Sequence, residues 1–187
     1  FHRYDALGAR GGGRGLDSPL DKAAAPRRAV RGVKGRVEVV PVPTAYTVII
    51  DYAHTPDALE NILTTARDFT AGRLICVFGC GGDRDRSKRP LMGAVAAELA
   101  DLVVVTSDNP RTEGPEDIIE DILPGMEGMD TQCHVEPDRP EAICWALSQA
   151  RPGDVVVLAG KGHETYQEIN GVQYHLDERE EIAAYFA

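Results

Sequence analysis

An α/β fold, an open and mostly parallel sheet with helices on both faces, is the architecture this sequence predicts. Two observations carry the prediction. From Arg36 onward, short runs of Val, Ile and Leu alternate with stretches whose apolar residues recur every three or four positions, which is the order of strands and amphipathic helices in a βαβ chain. The runs are also apolar throughout rather than alternating with polar residues, as expected of strands buried on both faces.

The elements follow in order. Residues 46–51 read as a strand, and Thr55 can cap the next helix, with Pro56 at its first position and Asp57 near its positive end. That helix is expected to reach about residue 69. A strand over 72–78 leads through a glycine-rich turn to a helix over 90–99, and 100–106 form another buried strand. Pro115 then opens a helix in which Ile118, Ile119, Ile122 and Leu123 share one face, ending near Gly125. Residues 132–135 are a short strand candidate, 140–150 a helix with Ile143, Ala146 and Leu147 inward, and 154–159 the clearest buried strand. Asn170-Gly171, between residues 166–169 and 172–175, signals a two-residue hairpin. Asp177 and Glu180 make a capping-box-like start to a final short helix. Together these elements describe a Rossmann-like sheet over residues 36–187 with a C-terminal β-hairpin and short helix.

Composition narrows the function classes. The chain has 187 residues, 43% of them hydrophobic, enough for one core of ordinary size and an appendage. No apolar run approaches the ~20 residues of a membrane span, and Phe1-His2-Arg3-Tyr4 does not read as a signal peptide. Cys76, Cys80, Cys133 and Cys144 lack paired CxxC spacing, which points away from a zinc site or a disulfide framework and toward a cytoplasmic setting. Through residue 36 there are nine basic side chains against three acids, a net of +6, so the remainder carries −16 of the total −10. Phosphate backbones repel so acidic a body, so nucleic acid is not expected as the main partner. The basic arm lacks interleaved aromatics, and its Gly-Gly-Gly-Arg-Gly stretch reads as a flexible linker.

Four polar loops follow four apolar strands, and in an open parallel sheet such loops gather along the carboxyl edge. Asp108-Asn109-Pro110-Arg111 is the most informative: the proline sets the turn, and the Arg111 guanidinium is a planar donor suited to a carboxylate. Taken alone, the same residues also describe a common turn followed by a solvated arginine. In Asp51-Tyr52-Ala53-His54-Thr55-Pro56, Asp51 and His54 stand before a helix N-terminus that favours anions, so they could face a ribose or a phosphate. The plainer alternative is an aspartate ending a strand and a histidine bonded to the backbone.

Gly79-Cys80-Gly81-Gly82-Asp83-Arg84-Asp85 resembles a dinucleotide fingerprint only in part, because Arg84 replaces its third glycine. Arg84 is instead a second possible carboxylate receptor, while Arg86, Lys88 and Arg89 also fit solvated charges at a helix start. In Gly160-Lys161-Gly162-His163-Glu164, the glycines allow close backbone approach to a ligand and Glu164 can accept from an ammonium. Lys161 and His163 stay open. No segment has the glycine spacing of a Walker A loop.

Taken together and in this order, the four loops resemble the C-terminal domain of the ATP-dependent Mur ligases, in the branch that adds meso-diaminopimelate during peptidoglycan assembly. The resemblance runs from about Gly32 to the C-terminus. It implies ligation in two steps: ATP, with Mg2+, phosphorylates a carboxylate of a UDP-N-acetylmuramoyl dipeptide, and the incoming amine attacks the acyl phosphate. It implies further that Arg84, Asn109 and Arg111 hold the distal end of diaminopimelate, with Asp108 and Pro110 also in its binding site, that Gly160 and Glu164 receive its distal ammonium, and that Asp51 and His54 face the nucleotide. No catalytic residue and no metal ligand are expected within this chain.

Residues 1–35 resemble, in degraded form, a remnant of the central ATPase domain or a linker, with His2 and Asp5 where asparagines are usual and Lys34 where a proline is usual. The N-terminal and central domains needed for turnover, which supply most of the ATP and Mg2+ contacts, are not recognisable, so the chain by itself is expected to be inactive. The other readings are a non-catalytic amino-acid or nucleotide binding module, an inert gene fragment, and a related folylpolyglutamate or cyanophycin-type ligase. The last would not be expected to carry Asp108-Asn109-Pro110-Arg111.

Overall fold

In the computed structural model residues 35–187 are described, within a compact unit spanning Val33–Ala187. The expected remnant over residues 1–35 lies, apart from Gly35, outside the described residues. In chain order the elements are β1 (Glu38–Val40), β2 (Thr47–Asp51), α1 (Pro56–Arg67), β3 (Leu74–Phe78), α2 (Lys88–Leu99), β4 (Leu102–Val105) and α3 (Pro115–Ile122), which continues into a 3₁₀ turn (Leu123–Met126). They are followed by β5 (Gln132–Val135), α4 (Arg139–Gln149), β6 (Val155–Ala159), the hairpin strands β7 (Tyr166–Ile169) and β8 (Val172–His175), and α5 (Glu178–Tyr185).

The main sheet has the order β1-β2-β6-β3-β4-β5. All its pairings are parallel except β1 with β2, so the α/β class and the mostly parallel sheet stand as predicted. Strand β1 was not foreseen, because three residues that include Glu38 and stop at Pro41 present no apolar run. β3, β4 and β6 are fully buried along their length, which is why they read as continuous hydrophobic stretches.

One face packs Ile49, Cys76, Phe78, Val103 and Val157 against α1, α2 and α3. The opposite face packs Val48, Ile75, Val77, Val104 and Leu158 against Ala142, Ile143, Ala146 and Leu147 of α4 and Ile182 of α5. Successive strand residues alternate between these two cores, as the pleat requires. Helices leave β2, β3 and β4 on the first face, whereas α4 returns the chain across the second. The carboxyl edge between β6 and its neighbours is therefore where loops part toward opposite faces and leave a crevice.

Local signals set the boundaries. The Thr55 hydroxyl accepts the Ala58 N–H at 3.3 Å and Pro56 opens α1, which ends at Arg67 rather than near residue 69. Helix α2 starts at Lys88, two residues before Pro90. Asn170 and Gly171 both adopt left-handed backbone (φ +49° and +76°), as the two-residue hairpin demands. Asp177 caps α5 through the Arg179 N–H at 2.9 Å, but Glu180 does not complete a capping box: its carboxylate bonds His175 Nε2 at 2.6 Å.

Candidate functional site

The four polar loops meet at the carboxyl edge around one cleft of about 280 Å³. Tyr52, His54 and Thr55 come from the end of β2, Gly81, Arg84 and Lys88 from the end of β3, Asp108, Asn109 and Arg111 from β4, and Gly160 and Glu164 from β6. Side chains more than a hundred residues apart in sequence thus share one wall. Pro110 stands behind it, buried, shaping the turn.

Hydrogen bonds fix the β3 and β4 loops to each other. Gly82 donates its N–H to the Asn109 carbonyl at 2.9 Å, and Arg111 Nη1 donates to the Gly82 carbonyl at 2.8 Å. Asp83, in left-handed backbone at φ +53°, accepts the Thr112 hydroxyl at 2.7 Å and gives its own N–H to Glu113. A Cβ on Gly82 would stand 1.9 Å from the Pro110 carbonyl oxygen, so no side chain fits there.

The hairpin holds the other side of this loop. Arg111 is itself left-handed (φ +54°), and its backbone pairs with the hairpin: its N–H donates to the Glu168 carbonyl at 3.0 Å and its carbonyl accepts the Asn170 N–H at 2.7 Å. Glu168 N–H also donates to Asn109 Oδ1 at 2.9 Å. Arg111 Nε lies 3.4 Å from the Glu168 carboxylate, while Nη2 has no partner among the described residues. Arg84 has none there either, and is exposed at the cleft.

The anionic half of the cleft is organised by Lys161. Its buried ammonium contacts Asp108 Oδ1 at 3.3 Å, Asn109 Oδ1 at 3.0 Å and Glu164 Oε2 at 3.5 Å. Glu164 also accepts from Asn109 Nδ2 at 3.1 Å and from the Tyr52 hydroxyl at 3.3 Å. Burial, and next the nearby Glu164 carboxylate, raises the Tyr52 hydroxyl above its usual pKa, so it remains a donor. Tyr52 packs between the His54 and His163 rings, with centroids 4.8 and 5.1 Å away. The cleft thus carries both signs of charge: guanidinium groups able to donate to a carboxylate, and carboxylates able to accept from an ammonium.

Asp51 and His54 are differently placed. The Asp51 carboxylate accepts the N–H groups of Val37 at 2.7 Å and Ala53 at 2.8 Å and does not line the cleft. Its pKa is raised by burial, which outweighs those two bonds. His54 lines the cleft while its Nδ1 bonds the Tyr52 carbonyl at 2.8 Å. Lys88 Nζ donates to the His54 carbonyl at 3.0 Å and ties this loop to α2.

The family model for the Mur ligase, glutamate ligase domain, matches residues 35–162 of this chain. The chain belongs to the Mur ligase family. Among curated relatives, the UDP-N-acetylmuramoyl-L-alanyl-D-glutamate--2,6-diaminopimelate ligase of Clostridioides difficile (strain 630) is 53% identical over 166 residues, covering 89% of this chain and 34% of the relative. The enzyme of the same name from Thermosynechococcus vestitus is 54% identical over 183 residues, covering 97% of this chain and 37% of the relative. A solved structure of a ligase with that name superposes with a TM-score of 0.82 at 43% identity, covering 94% of this chain and 36% of the other. The chain thus spans about a third of the length of the relatives it matches.

Within this Mur ligase domain, sequence reasoning left the place of two cations open. Lys161 is a fully buried cation behind the cleft wall, against Asp108, Asn109 and Glu164. Arg89, for which a solvated charge at a helix start was one of two open alternatives, is also fully buried: it donates to Glu113 at 2.7 and 2.8 Å, to Asp121 at 2.8 Å and to the Gly81 carbonyl at 3.3 Å. The signal was present, because Arg89, Met92, Gly93, Ala96 and Ala97 follow helical spacing and form the inward face of α2. Lys88 also leaves the solvated set by bonding across to the His54 carbonyl, whereas Arg86 remains an exposed residue paired with Asp121 at 2.8 Å.

Proposed function

We propose that this chain is the amino-acid-binding domain of an ATP-dependent ligase that joins meso-diaminopimelate to UDP-N-acetylmuramoyl-L-alanyl-D-glutamate in peptidoglycan precursor synthesis. The observation that carries the reading is the convergence of Arg84 and Arg111 with Asp108 and Glu164 on one cleft. A zwitterionic amino-acid head needs both signs of charge at close range. The names of the relatives supply the substrates, and the cleft supplies groups that fit one of them.

In this reading Arg84, Asn109 and Arg111 hold the distal carboxylate of diaminopimelate, while Asp108, Glu164 and the close backbone at Gly160 receive its ammonium. Pro110 fixes the turn that presents Arg111. ATP phosphorylates the acceptor carboxylate, and the amine then forms the amide and releases phosphate. The chain's own part is to orient that amine; it contributes no group to the bond-making step.

Asp51 and His54 are assigned to the nucleotide side, Asp51 indirectly, since its carboxylate holds the Ala53 N–H and so shapes the loop that presents His54. ATP and Mg2+ would be bound mainly outside the described residues, among which no group of three or more His, Cys, Asp or Glu side chains could hold a metal ion. We place the reaction in the bacterial cytoplasm. The four cysteines are unpaired and no helix among the described residues is long and apolar enough to cross a membrane, both compatible with that setting.

The test is to join this domain to the remaining domains of one of its curated relatives and measure amide formation. Lysine lacks the distal carboxylate and would leave a charged partner unmatched at a cost of roughly 2–5 kcal/mol, so meso-diaminopimelate should be used on the order of a hundredfold more efficiently. Equal use of the two amino acids would overturn the reading.

A further inference from the structure

The surroundings of Lys161 carry an inference beyond the ligand contacts. An ammonium has three donors and no acceptor, and here three oxygens take all of them: Asp108 Oδ1, Asn109 Oδ1 and Glu164 Oε2. Its Nζ also lies over the Tyr166 ring, 5.8 Å from the ring centre. A lysine that is completely shielded from water requires such partners.

Two consequences reach the cleft. Asn109 Oδ1 is taken by the Lys161 ammonium and by the Glu168 N–H, so its NH2 is turned to Glu164 Oε2, 3.1 Å away. The reverse orientation would set an NH2 group against two donors. Lys161 also bridges the Asp108 and Glu164 carboxylates, at 3.3 and 3.5 Å, and so holds side by side two groups that line the cleft.

We propose that Lys161 is a positioning residue for the amino-acid site: it fixes the polarity of the Asn109 amide and holds the Asp108 and Glu164 carboxylates in place at the cleft wall, where they receive an ammonium group. The inference rests on the reading of this cleft as the amino-acid site. Lys161 acts through Asn109, Asp108 and Glu164 and does not itself touch the ligand.

Calorimetric titration of the full chain with meso-diaminopimelate and with pimelate, the same diacid without ammonium groups, tests it. The unmodified chain should prefer meso-diaminopimelate. Lys161→Met should weaken meso-diaminopimelate binding about tenfold or more while changing pimelate binding less than about threefold, so the preference collapses. Lys161→Gln, an uncharged donor, should fall between. Equal losses for both ligands would indicate a purely structural role and overturn the proposal, as would a preference retained in Lys161→Met. Absence of any preference in the unmodified chain would instead refute the amino-acid reading of the cleft. If neither variant folds, nitrogen-15 NMR of the unmodified chain decides: meso-diaminopimelate, and not pimelate, should shift the Lys161 Nζ signal, and an unmoved signal would overturn the proposal.

Discussion

Arg139 and Glu178 form an ion pair at 2.7 Å in which neither side chain is exposed. Arg139, at the start of α4, also donates to the Ser107 carbonyl at 3.0 Å and the Ala159 carbonyl at 2.9 Å, tying the carboxyl ends of β4 and β6 together beneath the cleft. Glu178 Oε2 has no hydrogen-bond partner, so the pair is not fully satisfied.

Breaking this pair from one side should therefore be costly. Arg139→Met leaves a buried carboxylate uncompensated, and the expected loss is about 3–5 kcal/mol of folding stability. Adding Glu178→Leu removes the stranded charge and should recover much of it. Urea denaturation of the single and double variants checks both statements, and a double variant no more stable than the single one would contradict them.

A second ion-pair cluster predicts a pH dependence. Hydrogen bonds from the buried Arg89 guanidinium, foremost among the causes, hold the Glu113 carboxyl at about 2 instead of the ordinary 4.5. A carboxyl depressed in the folded state contributes stability above its unfolded pKa and loses it as the pH falls through the folded one. Glu113→Gln should therefore melt at a lower temperature than the unmodified chain at pH 7, with the difference closing between pH 4.5 and about 2. Thermal melts across that range decide it; a gap independent of pH would show that the ion pair is not its source.

Much of the fold was legible because its signals are local. Unbroken apolar runs marked β3, β4 and β6, Thr55 and Pro56 marked the start of α1, and Asn170-Gly171 marked the hairpin. The four loops that line the cleft could be named because each follows an apolar strand. What could not be read was pairing at a distance. Arg89 could not be told from a solvated charge because its partners, Glu113 and Asp121, lie 24 and 32 residues away. Lys161 stayed ambiguous because nothing local shows that Asp108 and Asn109 arrive from another strand to surround it. The docking of the hairpin on Arg111 was invisible for the same reason.

Adjacent glycines in the β3 loop should respond differently to one added methyl group. At Gly82 the new Cβ meets the Pro110 carbonyl oxygen at 1.9 Å, a backbone atom that cannot turn aside. At Gly81 it meets Arg111 Nη1 at 3.0 Å, the end of a flexible side chain. Gly82→Ala should therefore destabilise the fold by about 1–3 kcal/mol. Gly81→Ala should cost less stability and act instead on ligand affinity, by displacing the guanidinium. Paired melts and meso-diaminopimelate titrations separate the two, and equal stability losses would show that the loop yields at both positions.

Arg111 combines a fixed backbone with a guanidinium that is only partly occupied. Its left-handed φ of +54° is held by the hairpin bonds to Glu168 and Asn170, and Nη1 is held by the Gly82 carbonyl, while the side chain lines the cleft with Nη2 unpartnered among the described residues. Arg111→Lys keeps the charge but loses the planar fork, and a lysine ammonium cannot both satisfy the Gly82 carbonyl and grip a carboxylate with two parallel bonds. The expected loss is about 1.5–3 kcal/mol of meso-diaminopimelate affinity, the range for a hydrogen bond to a charged group. Arg84→Lys should cost less, because Arg84 has no partner among the described residues and can move with the ligand. Because the backbone bonds at residue 111 do not depend on its side chain, both variants should melt close to the unmodified chain. Calorimetry and thermal melts on the pair check this ordering, and an Arg84→Lys loss exceeding that of Arg111→Lys would reverse the roles assigned to the two guanidinium groups.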